Sequence, residues 1–81
     1  LGAAERGVPA AQNNLGVLYA DGAGVPQNLV ESFVWLSRAA AAGDPQAPAN
    51  LEAVRRRMSR DERRRAQERL AETAGPAAPP R

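Results

Sequence analysis

Cysteine and histidine are both missing from this 81-residue chain. Without Cys there is no disulfide, no thiolate nucleophile and no Cys-ligated metal. Without His the commonest general base and the commonest imidazole metal ligand are gone. Lysine is missing too, since all eleven basic residues are Arg. Aromatics are down to one Trp, one Tyr and one Phe, too few to stack along a row of nucleotide bases. No apolar run approaches the roughly 20 residues of a membrane-spanning helix. No signal peptide is visible either, and a chain that starts on Leu1 leaves its compartment open, cytoplasmic or exported. Nine acids offset the eleven bases, so the net charge is only +2 and the chain as a whole is not a polycation. The richness in Arg and Ala reads as GC-rich coding, a genomic mark suggestive of a bacterial source.

What the chain does have is a spacing. Leu1–Gly7 reads like Ser37–Gly43, offset by 36 residues, and the offset continues through Pro9 and Pro45, Ala11 and Ala47, and Asn14-Leu15 and Asn50-Leu51. A period in the thirties marks helical repeat arrays, whose units cannot bury their apolar faces alone. One full unit and two partial ones fall below the roughly three units that a free-standing array needs. At this size a single core is worth roughly 3–5 kcal/mol net. The chain is therefore expected to be the C-terminal end of a longer array.

The local signals divide the chain into four helices in two antiparallel hairpins, behind the remnant of an earlier helix. Residues 1–6 read as that remnant, closed by Gly7. A first helix is expected from Pro9 to Ala20, with Pro9 in the first turn and Ala11, Leu15 and Leu18 as its apolar stripe, extended by Tyr19. Gly22 and Gly24 favour a left-handed break, and Pro26 stiffens it. Asn28 with Glu31 forms a capping pair for a second helix that runs to Ala42. Phe33, Leu36 and Ala40 make one stripe on it, and Ser32, Trp35 and Ala39 an adjacent one. A third helix is expected from Pro45 to Met58, bent or irregular at Pro48, with Leu51, Val54 and Met58 buried. Ser59 with Glu62 caps a fourth, ending near Thr73 with a thin stripe of Ala66, Leu70 and Ala74. The tail 75–81 is Pro/Ala-rich and is expected to be disordered.

The stretch Ala11–Tyr19, then Gly22-Ala23-Gly24-Val25, then Trp35–Ala40 and Gly43 resembles a Sel-one-like repeat, a relative of the tetratricopeptide repeat. Its landmarks here are Leu15, Gly16, Tyr19, Gly22, Gly24, Trp35, Ala39, Ala40 and Gly43. The likeness departs mildly at Asn28, where the family often has Asp, and at Ser32, where it usually has Ala. It covers residues 8–43 as a complete unit, with 1–7 as the end of a preceding one. Residues 44–74 match less well: Glu52 replaces the glycine, Arg55 the tyrosine, and no glycine loop follows. They look like a degenerate terminal pair of helices with a polar outer side, as an end unit needs. The resemblance implies an all-α superhelix of tetratricopeptide-like hairpins. It also implies a scaffolding function through protein partners, with no enzymatic activity and no cofactor.

It further implies a place for the partner. In related arrays the first helix of each hairpin lines a concave groove. Asn14 and Asn50 fall there, with Asn13 and Val17 beside them as weaker candidates. An Asn in a groove can hydrogen-bond a peptide backbone or a terminal carboxylate. The commoner task of such an amide is to bridge helices within its own array.

Two other chemistries have less support. Residues 55–69 hold eight Arg, which could face nucleic acid or an anionic lipid surface. Acids dilute them at pairing distances, as in Glu52–Arg56 and Asp61–Arg65, which is usual on a solvated helix. The carboxylates fall at caps or on exposed faces, with no base beside them, so neither catalysis nor a metal site is expected. A purely structural role, capping the array, is the main alternative to partner binding.

Overall fold

The computed structural model describes residues 2–74, with side chains placed through residue 72. The tail expected to be disordered lies outside the described residues, as does the side chain of Ala74. Five helices follow in order: α1 (Gly2–Glu5), α2 (Pro9–Asp21), α3 (Leu29–Ala41), α4 (Ala47–Arg57) and α5 (Arg60–Ala74). The described residues contain no strand. This is the all-helical, repeat-type architecture that the 36-residue spacing predicts.

Local chemistry sets the helix ends. Asn28 accepts the Glu31 backbone N–H at 3.0 Å and starts α3. At α5 the capping box is reciprocal: the Ser59 hydroxyl accepts from the Glu62 N–H at 3.0 Å, and the Glu62 carboxylate accepts from the Ser59 N–H at 2.8 Å. Both satisfy backbone donors that a helix start leaves orphaned. Helix α2 ends on Gly22 at φ 70°, whose N–H donates to the Leu18 carbonyl. A side chain is disfavoured at that backbone angle.

Helix α4 starts two residues later than its sequence predicts. A start at Pro45 would require residue 48 to donate its N–H to the Asp44 carbonyl, and Pro48 has no N–H to give. The helix instead begins at Ala47, which puts Pro48 in the first turn, where no donor is needed. Its first backbone bond runs from Asn50 to Gln46. Asp44 caps the preceding turn, its carboxylate accepting from the Gln46 N–H.

Packing makes α3 the shared element: it lies against α2, α4 and α5. The α2–α3 approach is close because Gly16 has no Cβ. One built there would lie 2.6 Å from Leu36 Cγ and 3.2 Å from the Ser32 carbonyl. Ser32, fully buried, donates its hydroxyl to the Gly16 carbonyl at 2.6 Å. At the equivalent place α4 carries Glu52, and the close backbone packing of α5 is against α3.

The core joins Ala20, Phe33, Leu36, Val54, Met58 and Ala66, with Leu51 and Leu70 packed on its edge. Tyr19 and Trp35 are half-buried, and Arg38 stacks over the Trp35 ring at 4.7 Å. A second expectation fails. Leu18, placed on the buried stripe of α2, is 40% exposed, because no described helix covers that side.

Candidate functional site

Helices α2 and α4, both packed on α3, face each other across a groove. A cavity of about 250 Å³ lies in it, lined by Val17, Ala20 and Asp21 of α2 and by Asn50, Ala53 and Arg57 of α4, over Leu36 and Val54. The floor is apolar and fixed, since Leu36 is fully buried. The walls are mixed, with one amide, one carboxylate and one guanidinium.

Of the residues singled out in the sequence, Val17 and Asn50 line this cavity. Asn13 sits beside it, 3% exposed, and its Oδ1 accepts from Asn50 Nδ2 at 3.0 Å. That bond ties α2 to α4, the bridging task expected of an amide inside an array. It uses one of the four hydrogen-bonding positions on Asn50. Asn14 is exposed, and its side chain makes no hydrogen bond to the described residues. It shares an edge of α2 with Val17 and Asp21, by the spacing i, i+3, i+7.

Sequence reasoning missed Arg57. Its Nη2 donates to the Ala20 carbonyl at 3.2 Å, a group that Gln27 Nε2 also reaches at 3.0 Å. Ala20 is in the last turn of α2, where carbonyls lack helical partners and cations are favoured. A signal was available, because Arg57 stands seven residues after Asn50, two turns along one face of α4.

The outer faces carry most of the charge. Glu52 pairs with Arg55 and Arg56, and Asp61 with Arg64 and Arg65. The hydrogen bond from Arg65, then that from Arg64, holds the Asp61 carboxyl below its ordinary range. Arg55 does the same to Glu52. Arg69 pairs with Glu31 and ties α5 to α3. That hydrogen bond raises the Arg69 pKa further. A second cavity of about 300 Å³ opens beside this pair, with Asn28, Glu68 and Glu72 in its wall. Among the described residues no cluster of acids is placed to hold a metal ion. No described helix is long and apolar enough to cross a membrane.

Residues 9–44 match the family model of the Sel1 repeat. Comparisons with curated proteins and with solved structures returned no match.

Proposed function

We propose, for a chain whose residues 9–44 belong to the Sel1 repeat family, that the groove between α2 and α4 receives an extended segment of a protein partner. Sel1 repeats are generally helical protein-interaction units, and protein is the partner class that this family suggests. The observation that carries the reading is the Asn50 amide. It is anchored to Asn13 by one bond and retains free capacity, in a cavity with an apolar floor. A fixed amide matches the N–H and C=O of an extended backbone, and Val17 and Ala53 offer contact for a side chain. In this reading residues 1–7 are the end of a preceding unit, 8–43 one complete unit, and 44–74 a terminal helix pair.

The test is selection of random peptides on the full chain by display. Selected peptides should lose binding to Val17→Arg and Asn50→Arg proteins that still melt cooperatively. Peptides that bind all three proteins equally would sink the groove reading.

A second reading is supported by the outer side of α5. That side presents Arg60, Arg63, Arg64, Gln67 and Glu68 to solvent, as suits a helix pair whose role is to cap an array. On that reading only substitutions that unfold the chain, such as those at Trp35, Leu51 or Leu70, would matter. A polyanion is a weaker partner, because Glu52 and Asp61 already neutralise part of the Arg cluster. Binding to a polyanion would fall steeply with salt.

A further inference from the structure

Two side-chain bridges cross between α2 and α4, and they are in register. Asn50 Nδ2 donates to Asn13 Oδ1, and Arg57 Nη2 donates to the Ala20 carbonyl. Both pairs are separated by 37 residues along the chain. The two helices therefore run parallel, with the bridges two turns apart on each. Two turns rise about 10 Å. The cavity of about 250 Å³ occupies this interval, with Val17 of α2 and Ala53 of α4 at its sides and Leu36 and Val54 beneath. It is a dent stopped at both ends and not a continuous channel. A chain laid lengthwise would have to ride over both bridges, whereas a chain that crosses from one helix to the other meets neither.

The rim of the dent carries one charge on each wall. Arg57, on α4, is exposed; its guanidinium uses one N–H on a neutral carbonyl and makes no ion pair with a described residue. Its neighbours Arg55 and Arg56 are both paired with Glu52. Asp21, on α2, is exposed as well, and its carboxylate makes no hydrogen bond or ion pair with a described residue. It also stands in the last turn of α2, where a negative charge is disfavoured. Asp21 and Arg57 line the same cavity and do not pair with each other. Each wall thus offers an unmatched charge, of opposite sign, above one apolar floor.

We infer, resting on the reading that this groove receives a protein partner, that the occupant is an extended segment crossing the dent with an acidic, an apolar and a basic residue in succession. The apolar side chain enters the dent over Leu36 and Val54. The acidic side chain pairs with Arg57 and the basic one with Asp21. Extended backbone suits this division, because successive side chains point to opposite faces. The middle one turns down where its two neighbours turn up and outward. Those neighbours are about 7 Å apart, close to the roughly 8–10 Å between packed helices, and their long side chains make up the difference. Opposite charges on opposite walls also set the direction of the segment, with its acidic end on α4. Both charges are open to solvent, so nothing stops the segment at either wall, and the acidic group is an internal Asp or Glu side chain.

The test uses random peptides displayed on phage with their C-termini fused to the coat protein. They are selected in parallel on the full chain and on its Asp21→Arg and Arg57→Gln variants. Peptides from the original chain should carry Asp or Glu and Lys or Arg two positions apart, with an apolar residue between. Those from Asp21→Arg should carry an acid on both flanks. Those from Arg57→Gln should keep the base and lose the preference for the acid. A synthetic peptide of the first class should bind Asp21→Arg about tenfold more weakly than the original chain, as an exposed ion pair becomes a like-charge contact. Added salt should shrink that difference. Asp21→Arg places a cation at a helix C-terminus, a favourable exchange, and circular dichroism checks that both variants are folded. Peptides that lose binding to Val17→Arg yet lack charged flanks overturn this inference and leave the groove reading intact. Peptides indifferent to Val17→Arg, or a library that yields no binder, overturn the groove reading and this inference with it. Binders that arise only from a library with free C-termini overturn the internal side chain in favour of a chain end.

Discussion

Ser32 and Gly16 hold the α2–α3 pair at close range from both sides: the hydroxyl of one reaches the carbonyl of the other at 2.6 Å, and the missing Cβ of the second leaves room for Leu36. The two residues should nevertheless respond differently to alanine. In Gly16→Ala the new methyl meets Leu36, which is fully buried and has little space to retreat. Overpacking of this kind costs about 1–3 kcal/mol, offset by about 1 kcal/mol of helix propensity. A net loss of up to about 2 kcal/mol is expected, seen as a lower urea midpoint at unchanged slope. In Ser32→Ala the Gly16 carbonyl keeps its helical partner, so the change should stay within about 0.5 kcal/mol.

Leu36→Ala is the most damaging single change expected. Leu36 is fully buried and touches both the close α2 contact and the central cluster. A cavity there costs about 2–5 kcal/mol, comparable to the whole stability of so small a core. Circular dichroism should show loss of the cooperative melt at room temperature.

The two helix caps are separable. Asn28→Ala removes the acceptor for the Glu31 N–H, and Ser59→Ala breaks one arm of the reciprocal box. Each should cost about 1 kcal/mol. The sites share no partner, so the double variant should be additive within about 0.5 kcal/mol. Thermal melts of the four proteins measure this.

These caps were readable in the sequence because a cap spans only four residues and needs no knowledge of the rest of the chain. Gly16 stands out in the sequence as a landmark of the repeat, and a glycine inside an apolar helix implies a close neighbour. The start of α4 was misjudged because two prolines, Pro45 and Pro48, compete for the first turn, and the missing donor of the second decides. Leu18 was misjudged because periodicity reports an apolar face without reporting whether anything covers it. The amide bridge was only half legible. The 36-residue offset pairs Asn14 with Asn50, whereas the bond joins Asn13 to Asn50. An offset matches equivalent positions, but neighbouring helices meet through different faces, one position apart.

Acid titration should follow the exposed ion pairs. In the folded chain Asp61 is held below its ordinary range by Arg65 and Arg64, and Glu52 by Arg55. Whatever stability these carboxylates add is present above their unfolded pKa values and disappears as pH falls through the folded ones. Carboxyl NMR should place the Asp61 midpoint below that of an unpaired Asp. Added salt should move it back up, since the group is exposed and its partners are screened. An Asp61 midpoint equal to that of an unpaired Asp in a short peptide, and indifferent to salt, would contradict the pairing.

One helix, α3, is packed against three others, and this has a kinetic consequence. Neither end of the molecule can peel away without laying bare a side of the element that the other end also needs. Opening should then be all-or-none across α2 to α5, with amide protons in these helices exchanging through a common event. The single turn of α1, attached mainly to α2, is free to fray on a faster clock.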